Sequence, residues 1–174
     1  MIRVLAAAFA VAVILSACSE SKEDYNKRAA AFVDSVASEA KVNLTVAGTR
    51  VRVWTNAIFD KKKTDPLTGE ATAEYVFDFN EALAEYNASP LVKAVKENRD
   101  AAKKSLDSLF GTLKEAPEAS TGTMNAAKEV YATYLKSYKL AFDAEGSLQS
   151  YRDAVIETRS KLDEQLDAFK LESK

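Results

Sequence analysis

Residues 42–53, Val42-Asn43-Leu44-Thr45-Val46-Ala47-Gly48-Thr49-Arg50-Val51-Arg52-Val53, can be read in two ways. Apolar and polar residues alternate on both sides of Ala47-Gly48, and β-branched types are abundant, which is the pattern of a small hairpin. The same residues also carry part of a longer helical stripe. Tyr25, Ala29, Phe32, Val36, Ala40, Leu44, Ala47, Val51, Trp54 and Ile58 follow one another at intervals of three or four, about 3.7 residues per turn. The stripe enters the ambiguous segment from Phe32 and leaves through Ile58 in one phase, which a hairpin would have no reason to preserve. The helix is therefore preferred, with Gly48 as a weak point costing about 1 kcal/mol against Ala.

Outward from that segment, Ser21 and Asp24 sit where a helix N-cap and its first-turn acid belong. At the other end, Lys61-Lys62-Lys63 supplies the positive charge a helix C-terminus prefers, and Thr64-Asp65-Pro66-Leu67-Thr68-Gly69 is turn chemistry. A second helix is expected with Tyr75, Phe79, Ala82 or Leu83 and Tyr86 on one face. Ser89-Pro90 reads as an N-cap followed by proline at the first helical position, and opens a third segment through Leu91, Val95, Asn98, Ala102, Leu106, Leu109 and Leu113. These two segments are collinear with a kink or separated by a bend.

Pro117 and Gly122 bracket the next loop. A last helix is expected from about Met124 to Leu171, kinked or briefly broken at Gly146-Ser147, where its stripe fails. The resulting expectation is an all-α fold, an elongated antiparallel bundle of three arms with the middle arm kinked at Ser89-Pro90. More than about two-thirds of residues should be helical.

Composition agrees with long elements and few turns, since 47% of the 174 residues are hydrophobic and only five are Gly and three Pro. The 24 basic and 26 acidic residues are interspersed, unlike the clustered basic face of a nucleic-acid binder, so no nucleic-acid partner is expected. There is no histidine and only one cysteine, Cys18. Disulfides within the chain are excluded, and the usual ligands of soft metals and the usual acid–base and nucleophile arrangements are missing. Neither a metal, a cofactor nor a catalytic residue is expected. Asp78 with Glu81 or Glu85 invites an acid–base pair of the glycosidase kind, but carboxylates along a lysine-interleaved helix face read better as a solvated surface.

The N-terminal stretch joins Arg3 to an apolar run, Val4 to Leu15, too short to span a bilayer comfortably, and ends in Leu15-Ser16-Ala17-Cys18. This resembles the lipobox of a bacterial lipoprotein precursor. The resemblance implies a signal peptide over residues 1–17, cleavage before Cys18, acylation of that residue, a tether over 18–21 and a single helical domain over 22–174. It also implies attachment to a membrane through the lipid. Ser19, rather than Asp, follows the cysteine, which implies the periplasmic face of the outer membrane in a two-membrane cell. In a one-membrane cell the outer face of the cytoplasmic membrane is implied. Several short stretches also resemble a group of bacterial helical proteins to which no activity is attached. They are Trp54-Thr55-Asn56-Ala57-Ile58, Asp78-Phe79-Asn80-Glu81-Ala82-Leu83 and Lys114-Glu115-Ala116-Pro117, with Tyr131, Tyr134 and Gly146-Ser147-Leu148. That resemblance implies a helical first arm and a break at Gly146.

The candidate binding residues are Trp54, Asn56, Asp78 and Asn80, which could line a polar-aromatic pocket between the first and second arms, and Tyr134 and Tyr138, one turn apart on the last arm. Each also has a structural reading: tryptophan and tyrosines in phase with an apolar stripe belong to a core, and Asn or Asp beside a loop caps a helix. The functional expectation is a lipid-anchored, non-catalytic binding module for an envelope protein or polymer. Its alternatives are a structural spacer or assembly factor, exclusion of a phage or toxin, and an enzyme acting on envelope sugars or lipids. Oligomeric state is left open.

Overall fold

The computed structural model describes residues 20–76 and 78–174. The apolar run and Cys18 lie outside the described residues. Of the described residues 80% are helical, joined by one small two-stranded sheet.

Helix α1 runs from Lys22 to Thr55 without interruption, so residues 42–53 are helical and not a hairpin. Ser21 caps it as expected, its Oγ accepting from the Asp24 amide at 3.1 Å. Tyr25, Ala29, Phe32, Val36, Ala40, Leu44, Ala47 and Trp54 of the stripe are all buried, and Val51 and Ile58 are half-buried. Burial of one such Leu or Phe is worth about 1.5–3 kcal/mol, and a face of this length easily offsets the strand propensity of residues 42–53. One π-type turn, Asn56–Asp60, follows, and Lys61 ends it in the left-handed conformation with φ 55°.

A hairpin does occur, but one segment later. Strands β1, Lys62–Thr64, and β2, Ala71–Tyr75, pair antiparallel with Lys62 opposite Tyr75, Thr64 opposite Ala71 and an irregularity between them. Asp65 organises the connecting turn by accepting from the amides of Leu67 and Thr68, both at 2.8 Å, and Gly69 takes φ 74° there. Tyr75 therefore closes a strand and is 66% exposed, and does not sit on the face of the second helix. Its spacing to Phe79 imitates a helical stripe, but the pairing with Lys62 decides its conformation.

Helix α2, Phe79–Ala88, is capped by Asp78, and helix α3, Pro90–Leu113, by Ser89, whose Oγ accepts from the Val92 amide at 3.3 Å. Ser89 is at once the end of one helix and the start of the next, with ψ 141°, so the middle arm bends at Ser89-Pro90. A 3₁₀ turn over Glu118–Ser120 leads into helix α4, Thr121–Phe142, and helix α5, Leu148–Glu172, completes the chain.

The break expected at Gly146-Ser147 is present, and it reverses the chain. Gly146 adopts φ 87°, and Ser147 opens α5 through a capping box with Ser150. Contacts then pair α5 antiparallel with α4: Tyr151 donates to the Leu140 carbonyl, Lys136 meets Glu157, Thr133 bonds Gln165 at 2.6 Å and Thr123 bonds the Glu172 carbonyl at 3.0 Å. The last arm is thus two helices folded on each other, and the three-arm expectation gives way to four arms running up, down, up and down. Amphipathic periodicity is the same in a straight arm and a folded one. Folding back lets Tyr151, Val155, Leu162 and Phe169 join the core formed by α1 and α4, burying surface that a straight extension would leave in water.

The middle arm lies antiparallel to both α1 and α4. Tyr25 donates to the Leu113 carbonyl at 2.9 Å, Arg99 pairs with Glu39, and Tyr131 and Tyr138 donate to Asp107 and Asp100. One end of the bundle therefore gathers Ser21, Leu113, Thr121 and Glu172. The other gathers Thr55, the hairpin, α2, Phe142 and Leu148.

Candidate functional site

The hairpin end contains a polar arrangement that the apolar stripe conceals. Arg50 lies one turn before Trp54 on α1 and is only 3% exposed. Its Nε has no hydrogen-bond partner, and no acid lies within ion-pair distance among the described residues. Its guanidinium carbon stands 5.8 Å from the ring centre of Tyr86, which α2 supplies from the opposite wall. A cation over an aromatic face gains about 0.5–2 kcal/mol, which offsets only part of the cost of removing a charge from water. Burial accordingly pushes the guanidinium below its ordinary pKa, while the phenols of Tyr151 and Tyr86 and the Asp143 carboxylate act in the other direction. Tyr86 is raised by its own burial against the opposing field of Arg50, and Tyr151 is pushed up to about 12 chiefly by burial.

Trp54 completes the cluster. Its ring meets that of Tyr151 edge-on, with centroids 5.3 Å apart, and its buried indole Nε1 has no acceptor among the described residues. Two buried donors one turn apart on α1, each beside a tyrosine ring, thus lack acceptors among the described residues. Val53, Ala57, Val76, Ala82, Tyr86 and Val92 form a small second core under α2, whereas Trp54 belongs with Ala47 and Tyr151 to the main core. Local sequence explains the placement, since residues 47, 50 and 54 fall on one face of a helix. In the sequence Arg50 reads as the polar member of a strand-like alternating pattern, which counts it as solvent-facing. The signal that finds it is its position midway between the stripe residues Ala47 and Trp54.

The residues singled out from the sequence are distributed as follows. Trp54 belongs to the cluster just described. Asn56 is half-buried and donates to Thr64 Oγ1 at 2.9 Å, tying the π-type turn to β1. Asp78 caps α2 by accepting from the Asn80 amide at 2.7 Å, and both side chains are exposed. Glu85 pairs with Lys63 at 3.0 Å, while Glu81 is exposed. Tyr134 is 1% exposed in the main core, stacked on Tyr131 at 5.8 Å. Tyr138 is half-buried and donates to Asp100, which Lys96 also contacts at 2.7 Å. Tyr138, like Tyr131 with its bond to Asp107, therefore ties α4 to α3, whereas Tyr134 only packs in the core. Among the described residues no group of three or more His, Cys, Asp or Glu is placed to hold a metal ion, and no helix is long and apolar enough to cross a membrane.

The same end of the bundle carries exposed apolar side chains. Phe59, Leu67, Tyr75 and Phe79 are 70%, 73%, 66% and 43% exposed, all within the π-type turn, the hairpin and the first residue of α2. Comparison with known proteins finds no family, no curated protein and no solved structure that matches the chain.

Proposed function

We propose that this chain is a lipid-anchored, non-catalytic binding module of the cell envelope, held to its membrane through acylated Cys18. The observation that supports the reading is the set of large apolar side chains left in water at the hairpin end, Phe59, Leu67, Tyr75 and Phe79. Large apolar groups gathered at one place on a surface mark interaction sites. Helix α1, 34 residues long, sets that end about 50 Å from Ser21, where the tether of residues 18–21 ends. The partner is an envelope protein or polymer with an apolar face, reached by a lipid-bound stalk. A second reading, a structural spacer or assembly factor, draws on that same stalk length.

The test is crosslinking in intact cells, comparing the wild type with Cys18→Ser and with the double variant Phe59→Ser/Tyr75→Ser. The expected result is one crosslinked envelope component that disappears in the double variant, together with palmitate labelling that disappears in Cys18→Ser. Self-crosslinks alone would transfer the reading to the spacer. A crosslinked component retained by the double variant would remove the hairpin end from recognition.

A further inference from the structure

We infer that Arg50 and Trp54 form an internal anion-binding site, closed over by α2 and Tyr86, for the carboxylate or phosphate group of a small ligand. The inference is independent of the anchor and of the exposed apolar end. It stands first on the cost of the arrangement. A guanidinium buried without an acid lowers stability, and a bundle selected for packing alone would place an apolar residue between Ala47 and Trp54. Residues that break the rules of folding without local compensation are concentrated at functional sites.

The donor set fits the ligand. Arg presents a planar fork that matches a carboxylate or phosphate in two parallel hydrogen bonds, and the indole N–H adds a single donor from the next turn. Both lack acceptors among the described residues, Arg50 at Nε and Trp54 at Nε1. Tyr86 and Tyr151 line the surroundings with aromatic surface suited to the apolar body that carries such a group. No carboxylate of the described chain competes for the site, because Asp143, the acid whose field reaches Arg50, stays outside ion-pair distance.

The wall that must yield to admit a ligand is α2. It is ten residues long, buries only Ala82 and Tyr86, and is flanked by extended residues, Asp78 with ψ 125° and Ser89 with ψ 141°. Short elements with few buried contacts are the ones that open at low cost. One ion pair, Lys63 with Glu85 at 3.0 Å, ties its outer face to β1.

Trp54 is the only tryptophan of the chain, so the site reports on itself. The experiment is a fluorescence titration of the full-length protein in non-ionic detergent, with sodium phosphate and sodium acetate as probes and chloride holding ionic strength constant. A saturable change in Trp54 emission with phosphate or acetate is expected, accompanied by a rise in Tm. Arg50→Gln should weaken it by roughly tenfold or more, the loss that follows removal of a charged hydrogen-bonding partner. Arg50→Lys, which keeps the charge but not the fork, should fall between, and Tyr86→Phe should keep the response. Saturation by phosphate but not acetate would identify a phosphate-bearing ligand, and the reverse a carboxylate. A wild-type response that is linear and equal in all three salts would overturn the inference, as would a folded Arg50→Gln protein that saturates like the wild type.

Discussion

Asn43 of α1 donates to Ser137 of α4 at 3.3 Å, and both side chains are completely buried. The pair lies in the middle of the most extensive helix–helix seam, and Ser137 in turn donates to the Tyr134 carbonyl at 2.7 Å. A polar contact in that position locks α1 and α4 at one axial offset, because sliding either helix by a residue would strand both groups in apolar surroundings. Ser137→Ala should therefore cost about 1–3 kcal/mol, the price of leaving an amide donor unsatisfied. The double variant Asn43→Val/Ser137→Ala should cost less than the sum of its parts, with a coupling of about 0.5–3 kcal/mol in urea unfolding. Strict additivity would show that the contact does not contribute.

Two glycines should respond oppositely to alanine. Gly48 is in the interior of α1, and a Cβ placed there meets nothing within 4 Å. Gly48→Ala should stabilise the protein by about 0.5–1 kcal/mol. Gly146 holds φ 87° in the reversal before α5, and its Cβ would come within 2.9 Å of Ser150 Oγ. Gly146→Ala should destabilise by about 1–2 kcal/mol and shift the thermal midpoint down. Equal effects from both would contradict the roles assigned to them.

Alkaline pH should unfold the bundle through its buried phenols. Tyr131, Tyr134 and Tyr151 are all raised above their ordinary value of 10.0, first of all by burial, with the Asp107 carboxylate adding to the effect at Tyr131. The unfolded chain releases these protons near pH 10, whereas folded Tyr151 holds its proton to about 12. The folded state therefore binds more protons in that window, so stability is full below about pH 10 and falls as pH rises towards about 12. Tyrosinate absorbance and loss of helical dichroism should rise together for these residues. Complete phenol ionisation in a chain that stays helical would refute this.

Arg50 should lower stability whenever no carboxylate or phosphate ligand is present. In a buffer of chloride only, Arg50→Met should raise the free energy of unfolding by about 1 kcal/mol or more, since an apolar chain of similar length replaces an unpaired buried charge. Leu44→Ala, in the same helix and 1% exposed in the wild type, should cost about 2–5 kcal/mol in the same assay. A large loss from Arg50→Met would mean that the guanidinium has a structural partner.

Local chemistry made much of the fold legible. The stripe from Tyr25 to Ile58 carried the helix through a segment with strand-like propensity, and Ser21, Ser89-Pro90 and Gly146-Ser147 marked a start, a bend and a break. Each of these signals acts within a few residues, so each can be read from the chain alone. The hairpin of residues 62–75 could not, because Lys62-Lys63-Thr64 and Ala71–Tyr75 are too short to show a period and hold together by pairing.

Only the tertiary structure decided that α5 turns back along α4, since an amphipathic face does not specify which surface will cover it. Only tertiary structure, too, converted Tyr131 and Tyr138 into bonds to Asp107 and Asp100, and enclosed Arg50 beside Trp54 under α2. Periodicity reports which side of a helix faces inward. Whether a polar group on that side meets water, an acid or an aromatic ring depends on elements distant in sequence, and that is set by packing.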